Sequence, residues 1–205
     1  MNKSTEKSAV DVGLLSAVVV KEHGSRVPLV TDDSCDATVQ KFFSDVRARG
    51  GQPLNLHRAL ANAPKLLLGS SIMAYSIRLE AIVPRVYREL AIIRSVQLNG
   101  GQYEEMQHRP MAMSCGLSLE QINAIGDWRM STLFDTRQRA VLDWSENLFQ
   151  RGGPSDAQFV EIKKQFSDQE IVELTIAATT YAGFALFTQA LRTPLDSDVG
   201  HAVSP

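Results

Sequence analysis

Two neighbouring segments of the chain carry side chains that can move protons. In the segment 84–99, Glu89 lies within an apolar stripe at helical spacing, formed by Val86, Ile92, Ile93 and Val96. A carboxylate on such a stripe faces the core or a cleft, where burial is costly unless the group is paired or protonated. The pattern therefore predicts a buried carboxylate with a partner.

The following segment, 102–115, supplies a second carboxylate and an imidazole. Glu104 and His108 are four residues apart, so their side chains can meet on one helical face. The Gly100-Gly101 break between the segments predicts an αα-hairpin. Its facing stripes would bring Glu89 near Glu104 and His108 in a partly apolar pocket, an environment that separates pKa values and suits proton transfer.

Simpler interpretations of these residues are also open. Glu89 could pair with Arg85, four residues earlier, and Glu104 and His108 could form an ordinary pair on a helix surface. Tyr103, on another face, could reach the site from the hairpin turn or belong to the core. The Glu/His spacing specifies no third ligand, so the sequence predicts no metal site.

The rest of the pattern is typical of an all-α protein. From about Ala37 to Thr193 almost every segment has helical spacing, and strand alternation is essentially absent. Capping-box patterns begin helices at Ser118 and Ser167, and Ser155 caps another. The last helix carries apolar residues over much of its circumference, which predicts burial nearly all round. Outside the short Ser118 helix, the predicted helices are 36–48, 55–61, 63–77, 84–99, 102–115, 136–149, 156–166 and 168–191.

Length and composition fit a single domain. We predict a partly flexible N-terminal extension over 1–35, one all-α domain over 36–193, and a flexible tail over 194–205. The net charge of −2 provides no basic field for nucleic acid or an anionic membrane, so neither is an expected partner. The early apolar run 12–20 is too short to span a bilayer.

The cysteines and the remaining histidines carry no recognisable motif. Cys35 and Cys115 lie far apart in the sequence and neither belongs to a C-x-x-C pair. Two free thiols in a reducing compartment is the favoured interpretation, and a cytoplasmic location is expected. His57, between Pro53 and Pro64, is predicted to have no chemical role.

Three stretches resemble the signature of the carboxymuconolactone decarboxylase / alkylhydroperoxidase D-like superfamily. They are RELAIIR at 88–94, LNGGQYEEMQH at 98–108 and AMSCGLS at 112–118. The family typically shows R-E-L-x-I-L-R, then N-G-C-x-Y-C-x-x-x-H, then A-x-x-x-G-L-S. Segments 56–64 and 135–142 are also similar, so the resemblance covers roughly residues 38–192. It implies an alkylhydroperoxidase D-like helical bundle whose central αα-hairpin carries the site.

The resemblance also implies which roles this chain keeps and which it lacks. In peroxidase-type members the Glu and His of the signature serve a C-x-x-C pair in a proton relay. By position, those two roles fall on Glu89 and His108, whereas the cysteine positions are Gly101 and Glu104 here. Without thiolates there is no nucleophile to attack a peroxide. The Tyr-Glu-x-x-x-His version resembles the decarboxylase-like branch, which implies acid–base work on a small carboxylated or enolisable ring.

Our leading hypothesis is a cofactor-independent decarboxylase (lyase) or isomerase. His108 would be the general acid or base, and Glu89 and Glu104 would orient it or share its proton. No cofactor is required, because the conjugated system of the substrate accepts the electrons. The candidates for binding the substrate or stabilising an oxyanion are Tyr103, Arg85 and Arg109.

Two other hypotheses and one assembly state accompany this one. A ligand-binding or assembly protein without catalysis would have no open pocket that reaches Glu89 and His108. A hydratase would use the same residues on a different ring. The expected partners are a small-molecule substrate and further copies of the chain, since the resemblance implies a homotrimer, a hexamer or a dimer.

Overall fold

The computed structural model describes residues 24–197, and every regular element within them is helical. This confirms the predicted all-α class. In chain order the elements are α1 (Ala37–Ala48), α2 (Asn55–Leu60), α3 (Pro64–Tyr75), a π-helical turn (Ser76–Glu80), α4 (Arg85–Leu98), α5 (Gln102–Ser114), α6 (Leu119–Ala124), α7 (Thr136–Asn147), α8 (Asp156–Lys163) and α9 (Asp168–Leu191). The apolar run 12–20, His23 and His201 lie outside the described residues.

Side-chain caps fix where several helices begin. Both predicted capping boxes form: Ser118 accepts from the Gln121 N–H, Ser167 accepts from the Glu170 N–H, and each third residue bonds back to the cap backbone. The same arrangement begins α7 at Asp135 and α8 at Ser155. Each cap stabilises its helix by about 1 kcal/mol, because it satisfies backbone N–H groups that lack a partner inside the helix.

Helix α4 is the centre of the fold. It packs against α5, α7 and α9, and all residues from 88 to 93 are buried. Leu90, Ala91 and Ile93 belong to the main hydrophobic core, whereas Ile92 and Val96 pack on α9. Because α4 is covered on several sides, its polar residues Arg88 and Glu89 have to find partners inside the protein.

The buried Arg88 holds the π-turn in place. Its guanidinium donates hydrogen bonds to the carbonyls of Ile77 at 2.8 Å, Ala81 at 3.1 Å and Arg78 at 3.3 Å. These carbonyls lie at the end of the α3–π-turn segment and have no helical N–H beyond them, so a planar cation with several donors satisfies them together. Arg88 therefore fixes the backbone that carries Arg78.

The composition of helix α9 predicts burial nearly all round, but the helix is buried on one side only. Its inner face packs on α4 and α5, but a stripe at helical spacing is exposed, comprising Val172, Ile176, Thr179, Gly183, Leu186 and Ala190. By length and composition α9 also passes as a membrane span, with 44% of that window buried. The packed inner face is that of a core helix, and the exposed stripe accounts for the rest of its apolar character.

Both described chain ends are bound to the bundle. The backbone N–H of Arg26 donates to the carbonyl of Leu191 at 2.8 Å, and that of Val30 donates to Arg58 at 3.1 Å. At the other end, Asp196 accepts the N–H of Asn55 at 2.8 Å. Residues at both ends of the described range, outside the predicted domain bounds of 36 and 193, are thus hydrogen-bonded to the helical domain.

The turn between α4 and α5 passes very close to α9. A Cβ placed on Gly101 would lie 2.4 Å from the Ala185 Cβ and 3.2 Å from the Val96 Cβ, and neither neighbour can move aside easily. Gly100 adopts a left-handed φ of 67°. The glycine at the first signature cysteine position is therefore required by packing, and a cysteine does not fit there.

We expect Gly101→Ala to destabilise the protein. The added methyl forces the hairpin away from α9, and overpacking of this kind costs about 1–3 kcal/mol. The free energy of unfolding in urea measures the loss. Gly69→Ala is the matched control, because a Cβ at Gly69 meets nothing within 4 Å and alanine is the better helix former. Equal stability of Gly101→Ala and the wild type would contradict the close approach.

Candidate acid–base site

A cavity of about 200 Å³ opens beside the α4–α5 hairpin. Its walls come from α1, α2, α3, the π-turn, α5 and α9, and most of them are apolar. The apolar wall includes Phe42, Leu56, Met111, Tyr181 and Phe184. The polar groups at the wall are few, which is typical of a ligand-binding site in which a small number of hydrogen bonds fixes orientation.

His108 reaches this cavity from α5. The edge of its ring that faces away from the cavity is held by contacts inside the protein. Its Nδ1 lies 2.8 Å from the Glu89 Oε2, and its ring packs edge-on against Tyr181 with 4.4 Å between centroids. Its Nε2 has no hydrogen-bond partner among the described residues. An ionised Glu89 accepts the Nδ1–H, so a neutral His108 leaves Nε2 as an unprotonated acceptor.

Glu89 lies behind His108, away from the cavity wall. It is 2% exposed, as its place in the apolar stripe predicts, and Arg85 Nε donates to its second oxygen at 3.3 Å. Burial by itself would raise the pKa of Glu89, but His108 and Arg85 outweigh it and hold that pKa below its ordinary value. The carboxylate therefore stays ionised and orients the imidazole.

Glu104 reaches the cavity one helical turn before His108 but does not pair with it. Thr188 Oγ1, on α9, lies 3.1 Å from both carboxyl oxygens of Glu104 and 3.0 Å from the Phe184 carbonyl. The hydroxyl has a single proton: it donates to an ionised Glu104, or it donates to Phe184 and accepts from a protonated Glu104. Burial raises the pKa of Glu104 to about 7.

Tyr103 lines the cavity with its ring, but its hydroxyl is fully engaged. The hydroxyl donates to Asp196 and accepts the N–H of Leu56 at 3.1 Å, and Gln107 Nε2 donates to the same aspartate oxygen at 3.0 Å. Burial and Asp196 raise the Tyr103 pKa. The sequence-based proposal that the Tyr103 hydroxyl binds the substrate or stabilises an oxyanion is therefore corrected: the hydroxyl ties the C-terminal segment to α2 and α5.

The two arginines proposed from sequence for substrate binding do not line the cavity. Arg85 pairs with Glu89, and Arg109 pairs with Glu105 at 3.3 Å and with Asn123 on the other side of α5. In each case the guanidinium forms an ion pair with the carboxylate four residues away on the same helix. The arginines at the cavity wall are Arg49 and Arg78 instead.

His57, for which the sequence predicts no chemical role, also lines the cavity. Its Nδ1 accepts the backbone N–H of Leu54 at 3.1 Å, at the start of α2, and its ring contacts Phe42 edge-on. Burial lowers the His57 pKa to about 4, with Arg78 and Arg58 adding to the effect. The sequence offered one signal for the hydrogen bond to Leu54, since His57 lies in the first turn of a helix that lacks a capping side chain. No local pattern, however, places His57 near the α4–α5 hairpin.

The structure offers no redox pair at this site. Both cysteines are free, Cys35 exposed and Cys115 partly buried, as the sequence favoured. Burial raises the Cys115 pKa to about 11, so its thiol is a poor nucleophile near neutral pH. Among residues 24–197, no three His, Cys, Asp or Glu side chains cluster as metal ligands.

The raised pKa of Glu104 makes stability depend on pH. Between about pH 4.5 and 7 the folded protein keeps a proton that the unfolded chain has lost, so this contribution is present at acid pH and lost as pH rises through 7. We therefore expect the free energy of unfolding of Glu104→Gln, relative to that of the wild type, to rise by about 3 kcal/mol from pH 4.5 to pH 8, as the pKa shift implies. Urea unfolding at both pH values measures the gain. Glu105→Gln keeps Glu104 and should show the pH dependence of the wild type; an equal gain in Glu105→Gln would contradict the assignment.

Comparisons with known proteins agree with the signature. Residues 70–147, from α3 to α7, match the model of the Carboxymuconolactone decarboxylase family. That region contains Glu89, Glu104 and His108. None of the curated proteins matches the sequence.

Solved structures share the fold over most of the chain. A peroxidase-related protein from a Silicibacter species has a TM-score of 0.75 at 18% identity, over 89% of this chain and 96% of its own. An alkylhydroperoxidase AhpD core protein from Ralstonia eutropha has a TM-score of 0.75 at 14% identity, over 84% and 93%. A debrominase in complex with 2,3,4-tribromopyrrole has a TM-score of 0.70 at 15% identity, over 85% and 95%.

At these identities the structural likeness shows the fold, which is alkylhydroperoxidase D-like. The family match, which includes the α4–α5 hairpin, shows in addition that the segment carrying the site is similar to the Carboxymuconolactone decarboxylase family. The chain therefore matches the Carboxymuconolactone decarboxylase family over residues 70–147 and has the alkylhydroperoxidase D-like fold, with Gly101 and Glu104 at the two positions that are cysteines in the peroxidase-type signature.

Proposed function

We propose that this protein is a cofactor-independent acid–base enzyme, a decarboxylase (lyase) or isomerase that acts on a small cyclic carboxylated or enolisable compound. The observation that carries the proposal is the hydrogen bond of 2.8 Å between the His108 Nδ1 and the buried Glu89. It leaves the other ring nitrogen of His108 unpartnered in a mostly apolar cavity. This is the geometry of a positioned general base or acid.

The pair can work in either direction of proton transfer. In an isomerisation, the Nε2 of His108 takes a proton from a carbon next to a carbonyl, the C–H pair forms a C=C bond, and the carbonyl pair moves to oxygen. The proton then returns to a different carbon. In a decarboxylation, the C–CO2 pair forms the same dienolate as CO2 leaves, and a protonated His108 supplies a proton to carbon. In both, the ionised Glu89 stabilises the imidazolium.

The two carboxyl groups are suited to different tasks. Glu89 has a lowered pKa and stays ionised, whereas Glu104 has its pKa raised to about 7 and can hold or release a proton near neutrality. Pairs of titratable groups separated in this way are typical of acid–base sites. Glu104 supplies a second proton position at the cavity wall, and the Thr188 hydroxyl accommodates both of its states.

The cavity supports a flat, mainly apolar ligand with one negative group. Its rings and aliphatic side chains suit a small ring, and Arg49 and Arg78 provide cationic guanidinium groups at the wall. The debrominase that shares this fold holds a small substituted ring in its complex. We therefore propose a cyclic carboxylate as the substrate class, with its carboxylate towards Arg78.

A ligand-binding protein without catalysis is the second candidate. From the sequence we expect such a protein to have no open pocket at His108, whereas a cavity is lined by His108 and Glu104. The cavity therefore counts against this candidate in that form, although a cavity does not by itself require turnover. The buried, ion-paired Glu89 favours catalysis, because a binding site has no need of an imidazole backed by a desolvated carboxylate. A hydratase would use the same pair to activate water. A thiol peroxidase is disfavoured by the missing cysteines, and the two free thiols fit a cytoplasmic location.

One NMR experiment in D2O separates these activities. Small cyclic carboxylic acids, lactones and enones are incubated with the protein and followed by proton NMR. Loss of CO2 with uptake of one deuterium identifies a decarboxylase, movement of a double bond an isomerase, and addition of D2O a hydratase. Compounds that bind without any of these changes would instead favour the ligand-binding candidate.

For the compound that reacts, we expect His108→Asn to lower the rate by about 10²–10⁴-fold. The asparagine Nδ2 can still donate to Glu89, so the buried carboxylate keeps a partner while the nitrogen at the cavity is removed. Circular dichroism checks the fold. Cys115→Ala is the control and should keep the rate within about twofold, because this thiol acts as a small apolar group. Wild-type turnover in His108→Asn would overturn the mechanism.

We also propose that the chain self-associates through the exposed stripe of α9. The 4-3-4-3-4 spacing of its apolar and small residues matches the seam of paired helices, and a second copy of the same helix would cover it. Leu186 is 56% and Val172 61% exposed in the single chain. A seam of this kind fits the homotrimer, hexamer or dimer that the superfamily resemblance implies.

Analytical ultracentrifugation tests the seam. We expect Leu186→Glu to lower the mass towards that of one chain, because it places a charge in an apolar contact. Val160→Glu, at an exposed position of α8, is the control and should leave the mass unchanged. Ile72→Glu, on the exposed face of α3, is the competing variant: dissociation by it alone would show that α3, not α9, forms the interface.

A further inference from the structure

The cavity contains a second imidazole whose hydrogen bonding is the reverse of that of His108. The Nδ1 of His108 faces a carboxylate, which can only accept, at 2.8 Å. The Nδ1 of His57 faces the backbone N–H of Leu54, which can only donate, at 3.1 Å. Both residues line the same cavity. Both rings therefore present Nε2 to a ligand, but in opposite protonation states: a bare acceptor on His108 and an N–H donor on His57.

The donor state of His57 follows from its contacts. A nitrogen that accepts a backbone hydrogen bond carries no proton, so the neutral ring has its proton on Nε2. The described residues provide no hydrogen-bond partner for that Nε2–H. The ring also packs edge-on against Phe42, at 5.2 Å between centroids. Because burial and the neighbouring cations Arg78 and Arg58 lower the His57 pKa to about 4, the ring stays neutral at physiological pH.

We propose that His57 is a catalytic hydrogen-bond donor: its Nε2–H holds the substrate carbonyl oxygen while the Nε2 of His108 moves the proton. The proposal rests on the proposed function and sharpens the substrate class. The substrate is a small cyclic acid with a ring carbonyl, a lactone or an enone, conjugated with the carbon that loses CO2 or a proton. A base and a donor on one cavity suit a substrate that presents both an acidic centre and an oxygen.

The electrons and the proton balance without a proton from His57. As the C–CO2 or C–H bond breaks, its pair forms a C=C bond and the carbonyl π pair moves to oxygen. CO2 leaves, or the proton passes to His108. The His57 proton stays on Nε2 and its hydrogen bond shortens as negative charge develops, which is stronger stabilisation in the transition state than in the ground state.

A neutral imidazole suits this task for two reasons. It is a weak acid, so it donates a hydrogen bond without protonating the dienolate at oxygen, which would trap the product. It also adds no further positive charge beside Arg49 and Arg78, the arginines at the cavity wall. Separate donors for the carbonyl and the carboxylate would fix the orientation of the ring relative to His108.

Nitrogen-15 NMR of histidine-labelled protein tests the donor state without any substrate. Long-range proton–nitrogen spectra distinguish the protonated from the bare ring nitrogen, and His57→Phe assigns the signals. We expect His57 to carry its proton on Nε2 with no change between pH 6 and 8. A proton on Nδ1, or a ring that becomes charged in this range, would overturn the proposal and leave the acid–base role of His108 standing.

Phenols of graded acidity test the donor in binding, because their oxygen resembles the dienolate oxygen. We expect calorimetric affinity to rise with phenol acidity in the wild type and in His57→Gln, whose amide N–H replaces Nε2–H. The trend should vanish in His57→Phe, and turnover in that variant should fall by about 10²–10³-fold. An unchanged trend in His57→Phe, with the fold intact by circular dichroism, would show that the donor is another group.

Discussion

The hydrogen bond between Glu89 and His108 is the interaction on which the site depends. Glu89 lies deep in α4, which packs against α5, α7 and α9, and burial alone would drive this carboxylate to protonate. Arg85 and His108 together reverse that tendency. The carboxylate, once ionised, then determines both the orientation of the imidazole and which of its nitrogens faces the cavity. Removing either partner would leave an unpaired polar group in the core, which costs several kcal/mol.

The packing around the hairpin follows from the same requirement. For α4 and α5 to present Glu89 and His108 to each other, the turn between them has to be tight, and α9 closes over it at Ala185. This close approach excludes a side chain at residue 101. The absence of a cysteine at residue 101 is thus a consequence of the backbone packing, because Gly101 lets α9 approach the turn. Helix α9 in turn supplies the Thr188 hydroxyl, which can hydrogen-bond to Glu104 in either protonation state.

Local patterns were sufficient for the all-α class and for the burial of Glu89, whereas the bundle itself was implied by the family resemblance. Apolar periodicity and capping boxes predict the helices because both depend on residues three or four apart. The burial of Glu89 follows from the same spacing. His57, Arg78 and Asp196 could not be found in this way, because they meet the hairpin through contacts between distant parts of the chain. Arg109 was misassigned although Glu105, four residues earlier, was available as its partner. The exposed stripe of α9 shows a different limit of sequence analysis: composition indicates that a surface is apolar but does not indicate what covers that surface.

A crystal structure with a small cyclic carboxylate bound would test the central claim most directly. We expect the ring to lie in the cavity with a carbon about 3–3.5 Å from the Nε2 of His108, the distance of a reactive complex. The Glu89–His108 hydrogen bond should persist and the carboxylate should face Arg78. A ligand bound outside this cavity, or a His108 ring turned away from Glu89 when the ligand is present, would contradict the account.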